Sequence, residues 1–213
     1  MPAKSVFKTW RAQSLAVAGV MGLVLLCATG LAYVQAGSGP GYLNNPTDRV
    51  HKLAQSNPGH APVGILFDLP KGWNVPQESP GGLVLVDPDR PARRLSLVTI
   101  GLKEQATPAQ MIYRFVQLHP DRSVRATLRP EAEPHGFTLA DVGLSGAQFI
   151  GTSRDDQGRV RQHLFACLTP DGRQYWLIYL TDTVNPGEDA AESLRANARL
   201  LQAVYRSARV SED

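Results

Sequence analysis

"AQFIGTSRDDQGRVRQHLFACLTPDGRQYWLIYLT", residues 147–181, is the stretch that decides the fold. Runs rich in apolar and β-branched residues alternate here with the turn sequences "DDQG" and "TPDG". Gly158 and Gly172 lie in these turns and tolerate the positive φ that tight hairpins require. The pattern predicts an antiparallel meander. Its strands are expected at residues 137–142, 147–154, 160–168 and 175–181.

The C-terminal region adds an amphipathic helix, predicted over about residues 188–210. Apolar residues recur there every three or four positions, which is the period of one helix face. The predicted buried stripe consists of Leu194, Ala198, Leu201, Val204, Tyr205 and Ala208. Acidic residues lie in the first turns of the predicted helix, and Arg206 and Arg209 lie in its last turns, as the helix dipole favours.

A second helix is predicted in mid-chain at "TPAQMIYRFVQLHP". Thr107 is the expected N-cap, Pro108 takes the first helical position and Gln110 completes a capping box. Further strands are predicted at three apolar runs before this helix, and at the alternating stretch "SVRATLR", residues 123–129, after it. The expected fold class is therefore α+β, a mainly antiparallel sheet with helices packed on its faces.

Two motifs and the order of these elements resemble the Mog1/PsbP-like superfamily. The motifs are "LPKGW", residues 69–73, at the end of an early strand, and the hairpin sequence Asp171-Gly172. With the element order, the resemblance covers most of residues 65–210. It implies the same antiparallel sheet with helices on its faces. It also implies binding rather than catalysis, because members commonly act as accessory or assembly subunits docked on larger machines.

An uncharged apolar run, residues 15–34, lies ahead of this domain. About 20 residues at 1.5 Å each make a helix of roughly 30 Å, enough to cross a bilayer core. The run predicts a transmembrane anchor over residues 14–36. Its larger apolar side chains include Leu15, Val20, Leu23, Leu26 and Leu31. The alternative is a signal peptide that is cleaved after Ala36.

The charges around the run predict its orientation and the division of the chain. Three basic residues and no acidic residue precede the run, so the N-terminus is expected in the cytoplasm and the domain on the exported face. The expected parts are a basic cytoplasmic tail, residues 1–13, the anchor, residues 14–36, a linker, residues 37–62, and an exported α+β domain, residues 63–213. The exported part has no net formal charge, which removes the electrostatic case for nucleic-acid binding.

No motif predicts catalysis or metal binding. The five histidines form neither an HExxH nor an HxxxH pair, and a metal site would need them to converge from separate loops. Cys167 lies in an apolar strand, where a thiol is normally inert, and the second cysteine, Cys27, lies in the predicted anchor. We therefore expect no enzyme activity, no cofactor, no metal and no disulfide.

Four residues are candidates for binding a partner protein. Trp73 is expected first of all to pack in the core or at a strand end. The alternative is a loop position near Gly81 and Gly82, where an aromatic side chain would anchor a partner. Phe137, at the edge of a loop, is a further candidate. We expect a non-catalytic accessory or assembly subunit at a bacterial cytoplasmic membrane. Its exported domain would bind a larger membrane protein complex.

Two other functions stay open at this point. A small-ligand-binding domain would be favoured by a cleft lined by Trp73, Tyr113 or Tyr175. An enzyme would require Cys167 or the histidines to converge in an open pocket.

Overall fold

A computed structural model of the full chain describes residues 50–51, 64–79, 81–125 and 133–210. These residues belong to one compact unit, Pro40–Asp213. The strands are β1 (Val50–His51), β2 (Ile65–Leu66), β3 (Asn74–Ser79), β4 (Gly82–Val86), β5 (Arg94–Gly101), β6 (His135–Leu139), β7 (Leu144–Arg154), β8 (Val160–Thr169), β9 (Gln174–Thr183) and β10 (Arg209–Val210). The helices are α1 (Pro108–Leu118), α2 (Arg122–Arg125) and α3 (Ala190–Arg206), with a 3-10 turn at Ala140–Val142.

The main sheet has seven antiparallel strands in the order β3-β4-β5-β9-β8-β7-β6. It consists of two meanders, β3 to β5 and β6 to β9, which are joined where β5 pairs with β9. The chain crosses from the first meander to the second through α1. A small second sheet has the order β1-β2-β10. The predicted meander is confirmed, and β8 lies inside the sheet as its two apolar faces indicated.

The hairpin turns follow the predicted glycines. Gly158 and Gly172 have φ of 74° and 73°. In the first turn, the Asp155 carboxylate accepts hydrogen bonds from the backbone N–H groups of Gln157 and Arg159. The two turns fix the register of β7, β8 and β9, and the register decides which side chains meet across the sheet.

Helices α1 and α3 cover opposite faces of the sheet. Successive residues of a strand point to opposite faces. Leu164 belongs to the core cluster that includes Leu201 and Val204 of α3, whereas the ring of Phe165 lies 5.8 Å from that of Phe115 on α1. The domain is therefore a three-layer arrangement of helix, sheet and helix.

The predicted helix caps are confirmed for α1. The Thr107 hydroxyl accepts from the N–H of Gln110, and the Gln110 side chain accepts from the N–H of Thr107.

In α3, by contrast, the predicted stripe is only partly right. Leu201, Val204 and Tyr205 are buried, but Leu194 and Ala198 are half-buried, and polar side chains occupy the fully buried positions beside them.

The strand β3 was not predicted, because its sequence "NVPQES" contains proline and few apolar residues. Pro76 has no N–H to donate, so it is tolerated only where a strand needs no partner on one side. β3 is an edge strand, and its register with β4 shifts between Asn74 and Gln77. The strand predicted at residues 123–129 is also wrong where it is described, because Arg122–Arg125 form the short helix α2.

The predicted fold class, an α+β domain preceded by one transmembrane helix, requires correction. No helix in residues 50–51, 64–79, 81–125 or 133–210 is long and apolar enough to cross a membrane. The fold that the structure describes is a mostly antiparallel sheet with two main helices. The predicted anchor, residues 14–36 with Leu15, Val20, Leu23, Leu26 and Leu31, lies outside the described residues.

Candidate functional site

Trp73 lies in the protein core and not on an exposed loop. Its side chain is 7% exposed and belongs to the core cluster that also contains Trp176 and Leu201. The indole is buried because the chain passes directly from the core segment after β2 into β3. A ring in this position is not available to a partner in the folded domain.

Gly81 directly precedes β4, and Gly82 is the first residue of that strand. The carbonyl oxygen of Gly81 accepts two hydrogen bonds from Thr99 of β5, one from the N–H at 2.9 Å and one from the hydroxyl at 3.2 Å. Gly82 lies opposite Val98 of β5. Both glycines therefore lie where the β3–β4 hairpin contacts β5.

Phe137 is a predicted partner residue whose side chain lies near the surface. It lies on β6, half-buried, and its ring stacks on that of Tyr205 of α3 with centroids 4.5 Å apart. Its cross-strand neighbour is Gly146. A Cβ at Gly146 would overlap the Phe137 ring, so only glycine lets the ring lie flat against β7. The hydroxyl of Tyr205 donates to Gln148 at 3.2 Å and fixes the other ring of the stack.

The edge strand β6 lacks the features that protect the opposite edge of the sheet. β3 carries Pro76 and a register shift, and both discourage pairing with another strand. β6 has a continuous register with β7 over all five residues and contains no proline. Among the described residues, only β7 pairs with β6. We call this exposed side of His135–Leu139, with Phe137, the β6 edge.

A largely buried chain of hydrogen bonds joins three strands, β7, β8 and β9, on the face that α1 covers. The Ser153 hydroxyl lies 2.8 Å from Nε2 of His163, and Nδ1 of the same ring lies 2.7 Å from the hydroxyl of Tyr179. The rings of His119 and Tyr179 meet edge to face, 6.0 Å apart. Two of the five histidines therefore converge, as an enzyme would require, but His163 is 0% exposed and His119 only 7%.

Burial also decides the protonation of these groups. Desolvation lowers the pKa of both His119 and His163 to about 4, and it raises the pKa of Tyr179. The histidines are thus neutral near pH 7. A neutral imidazole has one nitrogen that donates and one that accepts, and the hydroxyls of Ser153 and Tyr179 are able to pair with either, so both nitrogens of His163 are satisfied. The chain resembles a nucleophile, base and orienting group in its order, but a base with this pKa is weak at neutral pH.

A second polar cluster lies on the opposite face, around the fully buried Asp182. Its carboxylate accepts from Nε of Arg90 at 2.8 Å, from Nε of Arg93 at 3.3 Å and from the side-chain amide of Asn197 at 2.8 Å. Arg90 also contacts Glu188 at 2.5 Å, and this hydrogen bond lowers the pKa of Glu188. The cluster ties the β4–β5 hairpin and α3 to the end of β9.

The remaining candidates for chemistry are also in structural positions. Cys167 is 0% exposed, and burial raises the pKa of its thiol. Trp73 and Tyr175 do not line a common cleft, since Trp73 packs with the α3 face whereas the Tyr175 hydroxyl donates to Ala106 beneath the α1 layer. Tyr113 is 48% exposed on α1.

The described part of the chain contains no group of three or more His, Cys, Asp and Glu side chains that could hold a metal ion. A shallow depression of about 320 Å³ lies between the β7–β8 turn and the segment before α3. Arg159, Pro186 and Glu188 are among its lining residues. It contains none of the predicted partner-binding residues.

The comparisons with known proteins do not assign a family. No family model matches the chain, and no curated protein matches it. A solved structure from Bacteroides thetaiotaomicron is similar over 70% of this chain and 46% of that chain, with 11% identity and a TM-score of 0.42. The apo structure of the T6SS immunity protein TplEi from Pseudomonas aeruginosa is similar over 70% and 45%, with 14% identity and a TM-score of 0.42.

This chain spans less than half the length of either similar structure. Neither likeness assigns a function to it. The resemblance to the Mog1/PsbP-like superfamily stays a prediction.

Proposed function

We propose that this domain is a non-catalytic accessory subunit that binds a larger protein, and that the partner adds a strand to the β6 edge. An extended segment that pairs with an exposed strand gains main-chain hydrogen bonds for affinity and side-chain contacts for specificity. The single observation that carries the proposal is the difference between the two edges of the sheet. β3 is protected by Pro76 and a register shift, whereas β6 is regular.

The contacts around Phe137 support this choice of edge. Phe137 and Leu139 are half-buried on one side of β6, and both pack against the core cluster. An added strand would cover the exposed part of the Phe137 ring. Buried aromatic rings are frequent anchors at the centre of protein interfaces.

The burial of the reactive side chains supports a binding role over the enzyme alternative. His163 and Cys167 are both 0% exposed, and each is accounted for by its packing or its hydrogen bonds. Trp73 and Tyr175 lie in different layers, so they do not support the ligand cleft that the sequence left open.

A photo-crosslinking amino acid in place of Thr138 tests the proposal in cells that express the full chain. Thr138 is exposed on β6, and Thr152 is an exposed threonine on β7 that serves as the matched control. We expect one reproducible adduct with a larger protein from position 138 and none from position 152. Equal adducts at both positions, or no adduct at 138, would contradict the proposal. An adduct of twice the chain mass would replace it with self-association.

A further inference from the structure

The outer face of α3 carries a row of arginines. Arg195, Arg199 and Arg206 are all exposed, and at 100° per residue they point within about 40° of one another. The rise of 1.5 Å per residue separates them by about 6 Å and about 10 Å along the helix. We call these three residues the arginine row.

The arginine row has one acidic neighbour on its own helix, Glu192, which lies three positions before Arg195 on the same face. No Asp or Glu occurs between Ser193 and Val210, while the acidic residues of α3 stand at its start. None of the three arginines forms an ion pair with a described residue. Arg209, the next basic residue, differs, because it pairs with Asp68 at 2.8 Å. Three like charges held on one helix face without an ion-pair partner in the described part of the chain favour an anionic ligand.

The chemistry of the helix favours carboxylates over a lipid surface. Helices that bind membranes insert an apolar face into the bilayer boundary. The apolar face of α3 is already used, because Leu201, Val204 and Tyr205 are buried against the sheet. The exposed residues of α3 are arginine, glutamate and alanine, so the outward face offers charge but no large apolar side chain. Guanidinium groups form paired hydrogen bonds with carboxylates, which gives an acidic protein segment a specific fit.

The position of the row connects it with the β6 edge. Arg206 directly follows Tyr205, whose ring stacks on Phe137 of β6 at 4.5 Å. With the Gln202 amide oriented to accept, its oxygen lies 3.0 Å from a guanidinium nitrogen of Arg206 and steadies that side chain. The C-terminal end of the row therefore lies beside the half-buried aromatic ring of the proposed docking edge.

We propose that the arginine row binds an acidic, extended segment of the partner protein, with carboxylates that reach Arg195, Arg199 and Arg206. An extended chain advances about 3.4 Å per residue and alternates its side chains between two faces, so acidic residues at every second position would present carboxylates on one face about 7 Å apart, within reach of the long arginine side chains. This inference rests on the proposed function, because it names the chemistry of the partner that docks at the β6 edge.

The test uses the full chain and fluorescent poly-L-glutamate at low ionic strength. One variant combines Arg195→Gln, Arg199→Gln and Arg206→Gln. The control variant removes the same charge from scattered exposed positions, through Lys71→Gln, Lys103→Gln and Arg114→Gln. Because three exposed ion pairs are lost, we expect the row variant to bind poly-L-glutamate up to about tenfold more weakly than the wild type. The affinity of the control variant should change less than twofold. Added salt should weaken the binding of the wild type.

Three results would overturn the inference. The first is that the wild type fails to bind poly-L-glutamate, and the second is that both variants lose affinity equally. The third is that the row is required only for binding to phosphatidylglycerol vesicles, which would make the ligand a lipid surface. The crosslink at Thr138 reports separately on the proposed function. If the crosslink at Thr138 forms equally in the row variant, the acidic segment is contradicted and the β6 edge is not. If binding depends on the row but no crosslink forms at Thr138, docking at the β6 edge is contradicted.

Discussion

His119 and His163 are neutral in the folded domain because burial lowers the pKa of each to about 4. In the unfolded chain, histidine binds a proton near pH 6.5. The unfolded state therefore takes up protons first as the pH falls. Stability is complete above pH 6.5 and is lost progressively toward pH 4.

We expect the free energy of unfolding to fall by about 2–4 kcal/mol between pH 7 and pH 5, with each histidine contributing up to about 1.4 kcal/mol per pH unit. Urea unfolding at both pH values measures this change. The variant His163→Gln should remove about half of the pH dependence. A stability that is the same at pH 7 and pH 5 would show that the two rings are not held neutral.

Gly146 is a second residue whose role follows from one contact. A Cβ at this position would overlap the Phe137 ring, which is held by its stack on Tyr205. We expect Gly146→Ala to lower the free energy of unfolding by about 1–3 kcal/mol, as overpacking does. In a Phe137→Leu background the same substitution should cost less. Equal costs in both backgrounds, measured in urea, would mean that the ring is free to move away.

The sequence predicted the surroundings of single side chains less well than it predicted secondary structure. Core packing was the favoured prediction for Trp73 and is confirmed, whereas its alternative as a partner anchor on a loop is wrong, because Pro76 belongs to an edge strand. The short distance between Ser153 and His163 could have been predicted from the position of the "DDQG" turn. That turn places Arg154 opposite Val160 and hence Gly151 opposite His163, which leaves Ser153 as a diagonal neighbour on the same face.

Among the elements, α1 is the one whose start the sequence defined most closely. The capping box satisfies two backbone N–H groups, one through the Thr107 hydroxyl and one through the Gln110 side chain. We expect Thr107→Ala to cost about 1 kcal/mol of stability. Thr107→Asp should retain most of it, because a carboxylate accepts the same hydrogen bond. Urea midpoints that are identical for all three proteins would show that the cap does not contribute.

The meander was predictable and the edge strand was not, for one physical reason. Strands β8 and β9 are buried on both faces, so nearly every residue in them is apolar or is paired. β3 has neighbours on one side only, and its sequence carries the features that prevent pairing on the other side. Edge strands such as β3 lack a hydrophobic period, so their sequences predict loops.

At the scale of the whole molecule, Asp182 joins segments that are distant in sequence. It is 0% exposed and contacts Arg90, Arg93 and Asn197. Loss of the carboxylate charge would leave two partly buried guanidinium groups without their shared partner. Breaking such a buried pair costs about 3–5 kcal/mol.

We therefore expect Asp182→Asn to lower the free energy of unfolding by about 3–5 kcal/mol. The matched control is Asp68→Asn, which breaks the exposed pair with Arg209 and should cost less than about 1 kcal/mol. Urea unfolding compares the two. A similar, small loss in both variants would mean that solvent reaches the Asp182 cluster and screens it.

The proposed docking surface combines parts that no single stretch of sequence contains. Phe137 was predicted, but its neighbour Tyr205 lies on a different element, and the exposure of the arginine row depends on which face of α3 meets the sheet. Helical periodicity indicates the buried face, so the row itself could have been found. The difference between the two sheet edges required the strand order.

The most direct measurement is the native mass of the full chain extracted from its own cells in mild detergent, for the wild type and for Thr138→Lys. A lysine on an edge strand opposes the addition of another strand, and Thr152→Lys on β7 is the control. We predict that the wild type and the control run in a large assembly with reproducible companions, and that Thr138→Lys runs as a single folded chain. A wild type that runs as a single chain, or a Thr138→Lys variant that stays in the assembly, would contradict binding through the β6 edge.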